Sequence, residues 1–115
     1  MYEEDFVKEA LIDVKIDKRE FKFREITGEE HDKVAGESIS ISEDGKINMD
    51  LGKRNLGFLL TMVIEAPYET NGKKYKDMNI IEKTKVLKKL NFNMFGKLCK
   101  EANKILGVSK ETEKK

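Results

Sequence analysis

Residues 12–23 read Ile12-Asp13-Val14-Lys15-Ile16-Asp17-Lys18-Arg19-Glu20-Phe21-Lys22-Phe23, and this stretch decides the fold class. Apolar and charged side chains alternate through Ile12, Val14 and Ile16 and again through Phe21 and Phe23. A period of two is the signature of strands with one face buried. Folding the chain around Asp17–Glu20 sets Ile16 opposite Phe21 and Val14 opposite Phe23. The result is a continuous apolar face that needs helices to cover it.

Those helices are legible downstream. Thr27-Gly28-Glu29-Glu30 has the form of a capping box, with Thr27 as N-cap and Glu30 three residues on. The helix it opens runs to about Glu37, presents only Val34 and Ala35 to a core, and ends with help from Gly36. Asp50 can cap a central helix from Leu51 to about Glu65, stopped by Pro67. Its stripe of Leu56, Leu59, Leu60 and Val63 is widened almost all round by Phe58, Met62 and Ile64. Asp77 or Asn79 can cap a helix over 80–90 whose inner side carries Ile80, Thr84 and Leu87. Asn93 can cap a last helix, in which Phe95, Leu98, Cys99, Ala102, Ile105 and Leu106 share one face, with Gly107 at its end.

Two further hairpins are expected in the connections. Over residues 38–49, a three-residue loop with Gly45 left-handed pairs Ile41 with Ile47 and Ile39 with Met49, with a mobile excursion as the alternative. Over residues 68–75, an Asn71-Gly72 turn sets Glu69 against Lys74 and Tyr68 against Tyr75, capping one end of the central helix. The expectation is α+β: an N-terminal β-hairpin packed on three to four helices, with short hairpins in the 38–49 and 68–75 connections. Residues 1–108 read as one domain and 109–115 as a flexible polar tail.

Bulk composition bounds the function. The chain has 115 residues, 38% hydrophobic and 39% charged, enough for one core beneath heavily solvated helix faces. Its single cysteine, Cys99, excludes an internal disulfide framework. The acidic N-terminus lacks the basic start of a signal peptide, and Leu56–Ile64 is far short of the ~20 apolar residues that span a bilayer. Net charge is +1 overall. Residues 1–65 carry 10 basic and 16 acidic side chains, net −6, and residues 66–115 carry 13 and 6, net +7. Such a split can draw copies together head to tail, present a basic face to an acidic partner, or leave two inert solvated surfaces.

The residues point away from catalysis. Catalysis needs a group of matched pKa beside a second group that positions it. The one histidine, His31, falls in the acidic first turn of a charged helix, and Cys99 falls on an apolar stripe, where a thiol acts as a small hydrophobe. No ligand set for zinc and no phosphate-binding glycine loop is present, so no cofactor or metal is expected. Lys83, Lys85, Lys88, Lys89, Lys97, Lys100 and Lys104 could follow a phosphate backbone. Only one arginine lies beyond residue 24 and no aromatics alternate with them, so solvated helix faces explain them as well. A binding protein is the better reading. Its partner surface is placed at the junction of the last two helices, on Phe92, Met94, Phe95 and Leu98.

Taken together, the order of elements resembles tail assembly chaperones of long-tailed, siphovirus-type phages and prophages. The resemblance covers residues 11–107. It rests on the extended segment leading into Phe23-Arg24-Glu25-Ile26-Thr27-Gly28-Glu29-Glu30, a polar middle, an apolar helix running into Ala66-Pro67, and the final helix pair containing Leu87-Lys88-Lys89-Leu90. It implies a protein of the host cytoplasm that binds the phage tape-measure protein, with the tail-tube protein as a further candidate partner, and keeps the tape-measure protein soluble during tube assembly. It also implies self-association, absence from the finished virion, and in many members a longer frameshifted form. It carries over no functional residue. The competing readings are a basic-faced nucleic-acid-binding regulator and a structural component of a phage particle.

Overall fold

Asp17 and Lys18 both adopt left-handed backbone, with φ of 49° and 68°. They form a two-residue turn whose twist matches that of the strands it joins. The computed structural model describes residues 5–107, so the expected tail at 109–115 lies outside the described residues. The turn connects β1 (Ile12–Ile16) to β2 (Arg19–Phe23) in the register Ile12↔Phe23, Val14↔Phe21 and Ile16↔Arg19. This corrects the expected pairing of Ile16 with Phe21. The tighter turn returns Arg19 and Glu20 to the ladder, where their backbone groups find partners. Because the shift is two residues, every side chain keeps its face. Val14, Ile16, Phe21 and Phe23 are all buried.

A third strand completes this sheet. The central helix α2 (Leu51–Met62) ends earlier than expected, and Val63–Glu65 forms β5, antiparallel to β2 in the sheet order β1-β2-β5. Pro67 restricts only Ala66, so it does not account for this early stop. Two causes do. Val63 and Ile64 are β-branched and suit a strand, and the outer edge of β2 needs backbone partners. The Arg24 N–H donates to the Met62 carbonyl at 2.9 Å just where the helix gives way.

Helix α1 (Gly28–Glu37) starts at the expected capping box. The Glu30 N–H donates to Thr27 Oγ1 at 3.1 Å and the Thr27 N–H to Glu30 Oε1 at 3.0 Å. Gly36 lies inside the helix rather than ending it, and right-handed Ser38 closes the last turn. None of α1 is fully buried, and its main anchor is Val34 against Gly57 of α2. Strands β3 (Ile39–Ile41) and β4 (Ile47–Met49) form the expected hairpin, with Gly45 at φ 83° and pairs Ile39↔Met49 and Ile41↔Ile47. Asp50 then caps α2 by accepting the Lys53 N–H at 3.0 Å.

Beyond β5, the Asn71-Gly72 turn joins β6 (Glu69–Thr70) to β7 (Lys73–Lys74), pairing Glu69 with Lys74. The Tyr75 N–H donates to the Tyr68 carbonyl at 3.0 Å, and the Tyr75 side chain, at the start of a 3-10 turn (Tyr75–Asp77), is wholly buried. Helix α3 (Ile80–Lys89) is capped by Asn79, with Glu82 completing a second capping box. Leu87 is buried as expected. Ile80, expected on the inner side, is instead 59% exposed, because the first helical position points off the end of the packed face.

Helix α4 (Phe92–Leu106) begins two residues earlier than expected. Asn91, not Asn93, is the cap, its Oδ1 accepting the Met94 N–H at 2.8 Å. Met94, Leu98 and Ala102 form the buried line, flanked by half-buried Phe95, Cys99, Ile105 and Leu106. Gly107, at φ 74°, ends the helix by donating its N–H to the Asn103 carbonyl at 2.9 Å. The core thus sits between the inner sheet face and helices α2 and α4, with Tyr75, Met78 and Leu87 closing its side.

Candidate functional site

An apolar side chain left in water marks a surface with something to bind when several of them gather in one place. Here they gather where β4 leads into α2 and where α3 gives way to α4. The β3–β4 hairpin has one apolar face, because Ile39, Ile41, Ile47 and Met49 occupy alternate positions in paired register. All four are exposed, Ile41 and Ile47 at 72% each. The opposite face carries Ser40 and Asn48. A two-stranded hairpin alone is marginal in water, and this one presents to solvent the side it would ordinarily bury.

Leu51, also exposed, follows directly, and α2 then forms one wall of a groove of about 780 Å³. Leu56, Leu87, Leu90 and Phe95 supply the apolar lining and Phe92 stands at its lip, 93% exposed. Lys53 of α2 and Lys88 of α3 flank it. Among the described residues neither lysine is in an ion pair. The lining also includes one carboxylate, Asp50, which is engaged in capping α2.

The four residues expected to bind a partner are divided by this geometry. Phe92 and part of Phe95 face the groove. Met94 and Leu98 are core residues, 7% and 0% exposed, and present no surface to a partner in this conformation. The physical reason is helical spacing: Met94 and Leu98 lie one turn apart on the side of α4 that faces the core, while Phe92, its first residue, points away from it. The hairpin's apolar face was already implicit in the pairing of residues 39–49, since pairing fixes which side chains share a face. What the pairing could not reveal was that no other element among the described residues covers that face.

The residues considered for chemistry are placed in packing roles. The His31 ring lies tilted against Phe58 with centroids 5.1 Å apart, and Arg54 stacks over the same Phe58 ring at 4.8 Å. Cys99 is half-buried, and burial pushes its thiol pKa up, away from the reactive thiolate. Among the described residues no three His, Cys, Asp or Glu side chains cluster as metal ligands would. Several of the lysines weighed for phosphate contact are occupied internally: Lys97 with Asp17 at 2.6 Å, Lys104 with Glu101 at 3.2 Å, and Lys83 over the Tyr75 ring at 5.2 Å. A smaller cleft of about 550 Å³ over the outer sheet face is walled by Asp13, Lys15, Glu20, Lys22 and Glu65, charges of alternating sign that water solvates. No helix among the described residues is long and apolar enough to cross a membrane. No family model matches the chain, and neither a curated protein nor a solved structure is significantly similar to it.

Proposed function

We propose that this protein is a non-enzymatic binding module that holds an apolar segment of another protein, and that it acts as a tail assembly chaperone for the tape-measure protein of a long-tailed phage. The observation that supports binding is the run of exposed apolar side chains from Ile39 through Leu51, set beside a groove bordered by Phe92. Side chains of this kind cost free energy in water and return it when a partner covers them. The packing roles of His31 and Cys99 favour a binder over an enzyme. The choice of the tape-measure protein rests on the resemblance of residues 11–107 to tail assembly chaperones. In that role the protein works in the host cytoplasm and is absent from the finished virion.

Co-expression with the product of a very long, helix-rich reading frame just downstream tests the proposal. The soluble fraction of that product should rise severalfold when this protein is present. An unchanged fraction, or no such neighbouring frame, overturns the tape-measure assignment. Mass spectrometry of purified virions provides a second check, since stoichiometric incorporation would mark a structural component instead.

A further inference from the structure

The groove beside Phe92 says more about its occupant than that it is apolar. Its walls come from the N-terminal turn of α2, the C-terminal turn of α3 and the start of α4. No strand lines it. An extended segment entering the groove would therefore find no ladder for its backbone N–H and C=O groups, and burying them unpaired is costly. A helix brings its own backbone hydrogen bonds and offers a stripe of side chains at helical spacing. The volume, about 780 Å³, suits a few such side chains rather than a whole domain.

Charge selects among helices. Lys53 and Lys88 border the apolar lining without an ion-pair partner among the described residues. Neither α2 nor α4 has an acidic residue in its first turn, and the negative end of α3, which lies in the same walls, is met by Lys88 and Lys89, so the cap Asp50 is the one carboxylate at the groove. A cationic flank of this kind attracts carboxylates and disfavours a basic helix.

We propose that the groove between α2, α3 and α4 takes an amphipathic helix of the partner, its apolar side chains packed between Leu56 and Phe92 and its flanking carboxylates met by Lys53 and Lys88. This rests on the binding reading above and names the chemistry of the partner. It commits to an acidic amphipathic helix rather than to a second copy of this chain.

The probe is a synthetic helical peptide about 15 residues long, with leucines at i, i+3, i+4 and i+7 and glutamates on both flanks. A control peptide has lysine in place of every glutamate. The full chain should bind the glutamate peptide about tenfold or more tightly than the lysine peptide at low salt, with the gap closing at high salt. Phe92→Ala should weaken binding about tenfold or more, as loss of an aromatic anchor does. The double variant Lys53→Glu with Lys88→Glu should reverse the preference between peptides. Both variants change exposed positions, and circular dichroism verifies that they fold. Failure of both peptides to bind, equal binding of the two, or wild-type behaviour of the variants would each overturn the proposal. So would sedimentation showing a dimer that Phe92→Ala dissolves, because the occupant would then be a second copy. The two readings fail separately: if the variants still solubilise the co-expressed partner, the groove assignment falls and the chaperone reading stands, whereas glutamate-peptide binding by a chain that does not solubilise that partner leaves the groove assignment and overturns the chaperone reading.

Discussion

Gly57 of α2 faces Val34 of α1 so closely that a Cβ at position 57 would lie 2.9 Å from Val34 Cγ1. The two helices cross there without an intervening side chain. Valine is stiff at χ1, so it cannot swing clear of an added methyl. Gly57→Ala should therefore destabilise the protein by about 1–3 kcal/mol despite alanine's better helix propensity. Gly96→Ala, in an open position on α4, should stabilise by about 0.5–1 kcal/mol. Urea denaturation of both variants measures the contrast, and Val34→Ala should recover part of the loss in the Gly57→Ala background.

The turn at Asp17 and Lys18 stores a small strain, because Lys18 has φ 68°. A side chain there costs roughly 1–2 kcal/mol that glycine avoids. Lys18→Gly should raise stability by about 0.5–1 kcal/mol, net of glycine's larger unfolded-state entropy. A fall in thermal midpoint instead would contradict the two-residue turn and favour the longer loop around Asp17–Glu20.

Arg24 ties β2 to α1 through two hydrogen bonds to Glu30, Nη1 to Oε1 at 3.0 Å and Nη2 to Oε2 at 2.5 Å. The guanidinium and the Thr27 N–H hold the Glu30 carboxyl down from 4.5 to about 2. The folded value is depressed, so the stabilisation is fully present above about pH 4.5 and is lost as pH falls through about 2. Both side chains are about one-third exposed, and solvent screening reduces the effect to on the order of 1–2 kcal/mol. Stability measured between pH 6 and about 2 should show this acid limb, and Glu30→Gln should flatten it.

Tyr75 is wholly buried, yet its hydroxyl has no hydrogen-bond partner among the described residues, and burial pushes its pKa up to about 12. A buried unsatisfied hydroxyl costs about 1–3 kcal/mol. Tyr75→Phe removes that group while keeping the ring against the core and Lys83. The expected result is an unchanged or higher unfolding midpoint, by up to about 1 kcal/mol. A loss of more than this in calorimetry would mean that the hydroxyl has a partner after all.

Much of the local architecture was readable because its causes are local. The Thr27–Glu30 capping box, the Asp50 cap, the Gly45 loop and the Asn71-Gly72 turn each depend on a few adjacent residues, and each appears where those residues are. The readings that changed all depended on distant partners. Helix α2 ends at Met62 because β2, nearly 40 residues earlier, offers a free edge that Val63–Glu65 can pair with. Asn91 rather than Asn93 caps α4 because both are capable caps, and only the packing of Met94 and Leu98 decides between them.

The candidate surface divides along the same line. By itself the sequence determined an α+β chain and placed Ile39, Ile41, Ile47 and Met49 on one face of a hairpin, since side-chain alternation follows from strand geometry alone. It also identified the α3–α4 junction as a place rich in apolar side chains. Only the tertiary structure decided which of these side chains remain in water. It withdrew Met94 and Leu98 into the core, left Phe92 at the lip of a groove, and brought Lys53 of α2 and Lys88 of α3 together at its flanks. Burial and charge proximity are properties of non-local packing, and no pattern along the chain encodes which face another element will cover.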